Sequence, residues 1–232
     1  MVAYGVQTIT GFGAMVISVP LGAQLMGINE LLLLLLPLSI AQCGYIAIRH
    51  RAAIDWRLLA RWIIPIMGTG TAVGAVLSGE LSGVVLRRAL AVLILVLSLF
   101  ELYVLSKPDL ERKALPVHST ALGLLGAGVM HGIYATGGPL LVYTVGRRVP
   151  DKAVFRSTLV IVWLLLNSAL IAYFFFDGRY RSSHTANVAL LLPGVIVGII
   201  VGERLHTRLD GRRFRQVTFG FLAIAAIALL VR

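Results

Sequence analysis

Two short glycine-rich motifs, Thr10–Gly13 and Thr136–Pro139, interrupt apolar segments of this 232-residue chain. Glycine tolerates positive φ and proline fits the first turn of a helix, so the motifs predict breaks followed by new helices, near Gly13–Ala14 and near Pro139. A helix that begins inside an apolar environment presents unpaired amides and partial positive charge. Two such ends that converge would bind an anion without any buried arginine or lysine. The simpler alternative is that the glycines only let helices pack closely.

The two motifs belong to a longer pattern that occurs once in each half of the chain. A Gly-x-x-x-Gly segment follows each motif, at residues 70–74 and again at 198–202, an offset of 128 residues (70 to 198). A Leu-x-Gly turn comes next, at Leu81–Gly83 and Leu209–Gly211, with the same offset. Helix-breaking residues at corresponding places in two halves indicate the binding site of a transporter.

The composition is that of a membrane protein, with 58% hydrophobic residues, 13% charged residues and a mean hydropathy of +0.90. A soluble domain carries about 25% charged residues, and this much apolar surface requires lipid as its solvent. The net charge of +11 does not indicate a nucleic-acid partner, because the basic residues lie in short loops and form no basic, aromatic patch. With one cysteine, Cys43, and no catalytic constellation, metal-ligand cluster or nucleotide-binding loop in the sequence, we expect no enzyme, no cofactor and no metal.

We predict an all-α membrane protein made of two inverted repeats, each a broken re-entrant hairpin followed by three transmembrane helices. The predicted first repeat covers residues 1–106, the linker 107–116 and the second repeat 117–232, all within one membrane domain. The apolar segments are Val2–Leu25, Leu31–Ile48, Trp56–Leu77, Val84–Leu105, Val117–Val145, Val154–Phe176, Ala186–Leu205 and Phe214–Val231.

The positions of the basic residues favour the re-entrant hairpins. If every segment crossed the membrane once, the loops on the two sides would hold 11 and 9 lysines and arginines, which is no bias. If the first and fifth segments turn back at their breaks, four loops with four, three, four and five basic residues share one side. That side then holds 16 basic residues and the loops on the other side hold 4. The positive-inside rule favours the second arrangement, and an odd number of spans per repeat inverts the second repeat.

Polar side chains beside the two breaks are the candidates for contact with an anion. Together with the backbone of the breaks, the predicted substrate site consists of Gln7, Thr10, Gly11, Phe12, Gly13, His131, Tyr134, Thr136, Gly137, Gly138 and Pro139. Hydroxyl and amide groups would replace the water shell of the anion, and the imidazole would carry a proton with it. Alternatively, His131 makes a local hydrogen bond on a packing face. Gln42 and Asn167 would either line the cavity or form hydrogen bonds between helices.

Three stretches of the chain carry a family resemblance. They are Gly5–Gly13 continuing to Pro20, Gly132–Pro139, and a closing pattern of Pro193, Gly194, Gly198, Gly202, Leu209, Asp210, Phe214 and Arg215. In their order and duplication they resemble the TauE/SafE family of sulfite exporters and anion permeases. The resemblance implies a multi-pass permease of the bacterial inner membrane that moves small sulfur-containing anions, such as sulfite or organosulfonates, usually outward.

We therefore predict a secondary transporter whose site lies at the membrane midplane and whose repeats rock against each other. Its expected partners are a small anion and the lipid bilayer, and both proton coupling and homo-oligomerisation are compatible with this prediction. Two alternatives stay open at this stage: a passive anion channel that uses the same site, and a membrane protein that transports nothing and serves as an assembly partner.

Overall fold

The computed structural model describes residues 1–107, 115–146, 148–149 and 151–205, with single residues and short pieces between 216 and 231. Most of the predicted linker, the Leu209–Gly211 turn and most of the eighth apolar segment lie outside the described residues. The described part is helical and contains no strand. Its helices are α1 Val2–Thr10, α2 Ala14–Gly22, α3 Ile28–Arg49, α4 Trp56–Glu80, α5 Gly83–Ser106, α6 Val117–Tyr134, α7 Gly138–Val145, α8 Lys152–Phe176 and α9 Ser182–Leu205.

Five of these helices, α3, α4, α5, α8 and α9, are long and apolar enough to cross a membrane. They correspond to the second, third, fourth, sixth and seventh apolar segments of the sequence. Large apolar side chains on their outer faces are exposed, including Leu190 at 79% and Val76 at 59%. In water such faces would be costly, whereas lipid tails solvate them.

The first and fifth apolar segments are each interrupted and form two shorter helices. The chain leaves α1 through Gly11 and Gly13, whose φ angles of 84° and 115° are strained for any residue with a side chain, and α2 starts at Ala14. The second interruption uses Ala135, with φ of 54°, and α7 starts at Gly138 with proline in its first turn. Both new helices begin where the sequence predicts them.

The Gly-x-x-x-Gly segments hold the interrupted helices against long ones. Along α9, a Cβ added to Gly198 would lie 2.6 Å from the carbonyl oxygen of Met1 in α1. Along α4, a Cβ added to Gly74 would overlap the carbonyl group of Val129 in α6. The first helix of each hairpin therefore packs closely on a long helix from the other half of the chain, while α3 and α8 pack against each other.

Four of the chain's connections are linked at one end of the helices, which we call the basic end. Glu203, at the end of α9, lies 3.6 Å from Arg49 at the end of α3 and 3.4 Å from Arg156 near the start of α8. The loop between α7 and α8 reaches the start of α6 through Arg148, whose Nη2 donates to the carbonyl oxygen of Leu115 at 2.9 Å. These contacts join the loops in which the sequence concentrates its basic residues.

A second set of contacts joins the remaining connections. Glu30, in the first turn of α3, lies 3.0 Å from the Nε2 atom of His184 at the start of α9. Arg179, between α8 and α9, has its Nη2 atom 3.0 Å from the position of a Cβ added to Gly79 near the end of α4. The start of α3, the end of α4 and the turn between α8 and α9 therefore lie together at the other end.

The close packing of α4 on α6 gives a first prediction. Replacing Gly132 with alanine places a methyl group into the carbonyl oxygen of Thr71 and the backbone of α4, which cannot move aside as a side chain can. We expect the free energy of unfolding to fall by about 1–3 kcal/mol. Gly68→Ala is the matched control in α4, since nothing lies within 4 Å of its added Cβ. Thermal unfolding in detergent checks the pair, and equal melting temperatures would contradict this packing.

Candidate functional site

A small cavity lies between the two interruptions. Its volume is about 10 Å³, which is room for one water molecule. Residues from the α1–α2 hairpin, from the α6–α7 hairpin and from the α3–α8 pair line this cavity. Six of the predicted site residues are among them: Gln7, Phe12, Gly13, His131, Gly138 and Asn167. Five lining residues were not predicted: Met15, Val16, Ser39, Ala135 and Trp163.

The two interruptions touch each other at this cavity. A Cβ added to Gly138, the first residue of α7, would lie 3.3 Å from the ring of Phe12 and 3.6 Å from a methyl group of Val16. The Phe12 ring therefore packs on backbone that carries no side chain. Helices α2 and α7 begin next to each other, although more than a hundred residues separate them in the sequence.

The N-terminus of α2 is partly satisfied by the protein itself. The amide of Ala14 donates to the Oε1 atom of Gln7 at 3.1 Å, and the Nε2 atom of Gln7 donates to the sulfur of Cys43 at 3.1 Å. Gln7 thus caps α2 from across the break. The following amides, of Met15 and Val16, have no carbonyl one turn earlier in the helix to accept from them, and both residues line the cavity.

Two cavity side chains carry polar atoms that lack a hydrogen-bond partner within the described part of the chain. His131 is fully buried, and neither Nδ1 nor Nε2 of its ring makes a hydrogen bond of ordinary geometry there, although the side chain of Asn167 lies close enough to interact with the ring. Asn167 donates from Nδ2 to the hydroxyl of Ser39 at 3.0 Å, while its Oδ1 has no partner among those residues. Buried polar atoms are nearly always paired, so unpaired ones gathered at one cavity call for a functional explanation.

Trp163 of α8 connects the two hairpins. Its indole N–H donates to the carbonyl oxygen of Gly11 at 2.9 Å, and its ring stacks on His131 with 5.5 Å between ring centroids and an angle of 28°. Nothing in the apolar sequence around Trp163 marks it as a site residue. Ser39, in contrast, precedes Asn167 by 128 residues, the offset of the Gly-x-x-x-Gly segments, and that spacing could have found it.

Other predicted residues lie at the breaks without lining the cavity. The hydroxyl of Thr10 donates to the carbonyl oxygens of Val6 at 3.0 Å and Phe12 at 2.6 Å, which fixes the turn after α1. Thr136 is buried and its hydroxyl has no partner within the described residues. Gly11, Gly137 and Pro139 form the turns and the first turn of α7.

Two predicted residues take part in hydrogen bonds away from the cavity. The hydroxyl of Tyr134 donates to the carbonyl oxygen of Leu86 in α5 at 3.0 Å. Gln42 donates to the carbonyl oxygen of Tyr4 at 2.6 Å and to the hydroxyl of Thr8 at 2.8 Å, which attaches α1 to α3. For Gln42 the structure shows the interhelical hydrogen bonds that the sequence left as one of two interpretations.

One basic side chain is more buried than the sequence analysis expects. Arg156 is one of the four basic residues that the charge count assigns to the loop between the fifth and sixth apolar segments, and the anion site is predicted without a buried arginine. Arg156 is only 7% exposed, and its Cα and carbonyl oxygen lie 3.0 and 3.1 Å from a Cβ added to Gly11. Within the described ranges, no group of three or more His, Cys, Asp or Glu side chains could hold a metal ion.

The indole hydrogen bond gives a second prediction. Trp163→Phe keeps a ring that can stack on His131 but leaves the carbonyl oxygen of Gly11 without its donor. We expect unfolding to become easier by about 1–2 kcal/mol, the usual cost of losing one partner of a buried hydrogen bond. Trp56→Phe, at a position that is 57% exposed, is the control. Thermal unfolding compares the two variants. A Trp163→Phe protein as stable as the control would show that this hydrogen bond does not contribute to stability.

Sequence comparisons identify the family and relatives of this chain. The model of the family described as "Sulfite exporter TauE/SafE" matches residues 1–229. The chain is 28% identical, over 76% of its length and 72% of the relative's, to the "Probable inner membrane transporter protein TsaS" of Comamonas testosteroni. It is 23% identical, over 93% of its length and 85% of the relative's, to the "Probable sulfite/organosulfonate exporter TauE" of Cupriavidus necator. No solved structure matches the chain significantly. Five helices of the described part are long and apolar enough to cross a membrane, and the family match covers nearly the whole chain, so the chain is a multi-pass membrane transporter that belongs to the TauE/SafE sulfite exporter family.

Proposed function

We propose that this protein is a secondary transporter of sulfite or a small organosulfonate, which binds between the two interrupted hairpins near the membrane midplane. The observation that carries the proposal is the meeting of both interruptions at one cavity that contains unpartnered polar atoms of His131 and Asn167. The substrate class follows from the family and from the Cupriavidus relative, whose name includes both sulfite and organosulfonates.

The chemistry of the cavity suits an oxyanion. The first-turn amides of α2 and α7 point their partial positive charge toward the region where the two helices begin, and both helices start at the cavity wall. The imidazole of His131 and the amide group of Asn167 can offer hydrogen bonds in place of the water shell of the anion. A protonated His131 would carry a proton together with the anion, which is our proposal for coupling.

The packing supports two inverted repeats at 1–106 and 117–232. In the first half α1 packs on α9 of the second half, and in the second half α6 packs on α4 of the first. Exchanged packing of this kind is expected when one pseudo-twofold axis relates the halves. The two sets of contacts at the helix ends fit hairpins that enter from opposite sides, and the positive-inside rule places the basic end in the cytoplasm of a bacterium.

The small volume of the cavity indicates a closed conformation. A sulfite ion has four heavy atoms and exceeds the space of one water molecule, so the hairpins must separate to admit it. We propose that the glycine-rich contacts of α1 with α9 and of α4 with α6 are the surfaces along which the repeats move. At these contacts glycine lets two backbones meet without interlocking side chains between them.

Transport by the purified protein in proteoliposomes tests this function. We expect flux of labelled sulfite or methanesulfonate that saturates with concentration and is accelerated by unlabelled substrate on the opposite side. Flux that rises linearly with concentration and shows no exchange would indicate a passive channel and contradict the proposal. Absence of flux with every small sulfur oxyanion would contradict it as well.

A further inference from the structure

Two arginines and a histidine surround a single carboxylate at the basic end. The carboxylate of Glu203 lies 3.4 Å from Nη2 of Arg156, 3.6 Å from Nε of Arg49 and 3.6 Å from Nε2 of His50. These three distances are longer than those of tight charge-assisted hydrogen bonds. One carboxylate therefore faces two guanidinium groups and an imidazole, and the cluster keeps an excess of positive charge.

Arg156 is the buried member of this cluster. Its side chain is 9% exposed, against 26% for Glu203 and 60% for Arg49. Exposure therefore decreases from Arg49 through Glu203 to Arg156, from the surface inward. The Nε atom of Arg156 has no hydrogen-bond partner within the described residues. A buried guanidinium with one distant partner is costly unless something else satisfies its donors.

The position of Arg156 relates the cluster to the cavity. Arg156 packs against Gly11 at the first interruption, and Trp163, which lines the cavity, donates its hydrogen bond to the same glycine. The two side chains are seven residues apart on α8, about two helical turns or 10 Å, and share one face of that helix. Arg156 thus lies between the surface of the basic end and the cavity.

We propose that Arg156, Arg49 and His50 form a second anion-binding site, the entrance site, at which a sulfur oxyanion replaces Glu203 as the partner of Arg156. This inference rests on the proposed function, because its ligand is the transported anion. A guanidinium presents a planar fork of donors that matches two oxygens of an oxyanion, and Nε is the unused arm of that fork. Glu203 closes the site when no anion is bound, and the positive-inside rule places it on the side from which an exporter takes its substrate.

The test compares the equilibrium binding of sulfite to the purified full-length protein and to variants by calorimetry. Arg156→Gln is expected to weaken binding about tenfold, the cost of losing one hydrogen bond to a charged group. Glu203→Gln is expected to strengthen binding by about threefold or more, because the competitor for Arg156 loses its charge. Arg179→Gln removes an arginine paired with Asp177 at the opposite end and serves as the charge-matched control, with unchanged binding.

The opposite signs of the two effects separate a binding site from a structural ion pair. If Arg156 and Glu203 only hold α8 to α9, both variants lower the melting temperature and neither strengthens binding, which would overturn the entrance site. The same titrations are repeated in the His131→Phe background, in which the cavity lacks its imidazole. Sulfite binding measured there reports on the entrance site with less contribution from the cavity.

Failure of this inference and failure of the proposed function give different results. Saturable flux together with unchanged sulfite binding in Arg156→Gln and Glu203→Gln overturns the entrance site and leaves the transporter intact. Absence of flux in the wild type, with binding that still moves in opposite directions in the two variants, supports the entrance site and removes the transport proposal.

Discussion

Replacing His131 with phenylalanine is expected to lower sulfite flux about 10- to 100-fold, the range that follows from losing one hydrogen bond to a charged ligand. His131 is fully buried at the cavity, and neither nitrogen makes a hydrogen bond of ordinary geometry within the described residues. Phenylalanine keeps a ring against Trp163 while it removes both nitrogens. Stability is expected to stay equal or rise, because two unsatisfied buried atoms disappear. The measurements are flux in proteoliposomes and thermal unfolding of the same preparations.

His118 offers the control for this prediction, since it lies in the first turn of the same helix and is exposed. His118→Phe should leave flux unchanged. The proposal of proton coupling adds a further expectation: an imposed pH gradient should alter the flux of the wild type and have no effect on the residual flux of His131→Phe. If the His131→Phe protein transports sulfite at the wild-type rate, the imidazole does not take part in substrate binding.

Gly11→Ala is expected to reduce flux more than about tenfold and to lower stability. Two costs act together at this position. A side chain at φ of 84° costs about 1–2 kcal/mol, and the new methyl group would press on the backbone of Arg156 at 3.0–3.1 Å, which adds overpacking of about 1–3 kcal/mol. The break would move away from α8, and the hydrogen bond from Trp163 would lengthen. Flux per folded protein and the melting temperature measure the two effects.

Gly178→Ala separates strain from contact. Gly178 has a similar φ of 74°, but nothing lies within 4 Å of its added Cβ. Its alanine variant should pay only the conformational cost and transport sulfite normally. If Gly11→Ala behaves like Gly178→Ala in flux as well as in stability, the contact between the first interruption and α8 has no role in transport.

The positions of the breaks and of the spanning helices could be predicted because they depend on local chemistry. Glycine and proline interrupt a helix wherever they occur in the required order, so α2 and α7 start where residues 10–13 and 136–139 predict. Long apolar segments form spanning helices because a helix satisfies the hydrogen bonds of its own backbone within lipid. Repetition of both features in the two halves also indicated that the interruptions would meet.

The rest of the site depends on contacts between distant segments, which local patterns do not reveal. Trp163 acquires its role only because α8 lies beside Gly11 and His131. Tyr134, beside the second break, and Gln42, within the second apolar segment, are both polar, yet their side chains form hydrogen bonds with α5 and α1. By sequence Arg156 is a loop charge, but the fold buries it beside Glu203 at the end of α9. Whether a charged side chain is buried depends on the segments that pack around it, and local sequence patterns do not show which segments these are.

The central claim, that the two interruptions meet and must separate for transport, is tested most directly by a disulfide between positions 12 and 138. A Cβ at position 138 would lie 3.6 Å from the Cβ of Phe12, within the range of a disulfide, and Cys43→Ser removes the single native cysteine. Methanesulfonate serves as substrate because sulfite cleaves disulfides. Gly27→Cys with Gly138→Cys is the control, since nothing lies within 4 Å of a Cβ at Gly27. The account predicts that Phe12→Cys with Gly138→Cys forms a disulfide on oxidation, that flux stops, and that reduction restores it; absence of the disulfide, or full flux with the disulfide formed, would contradict it.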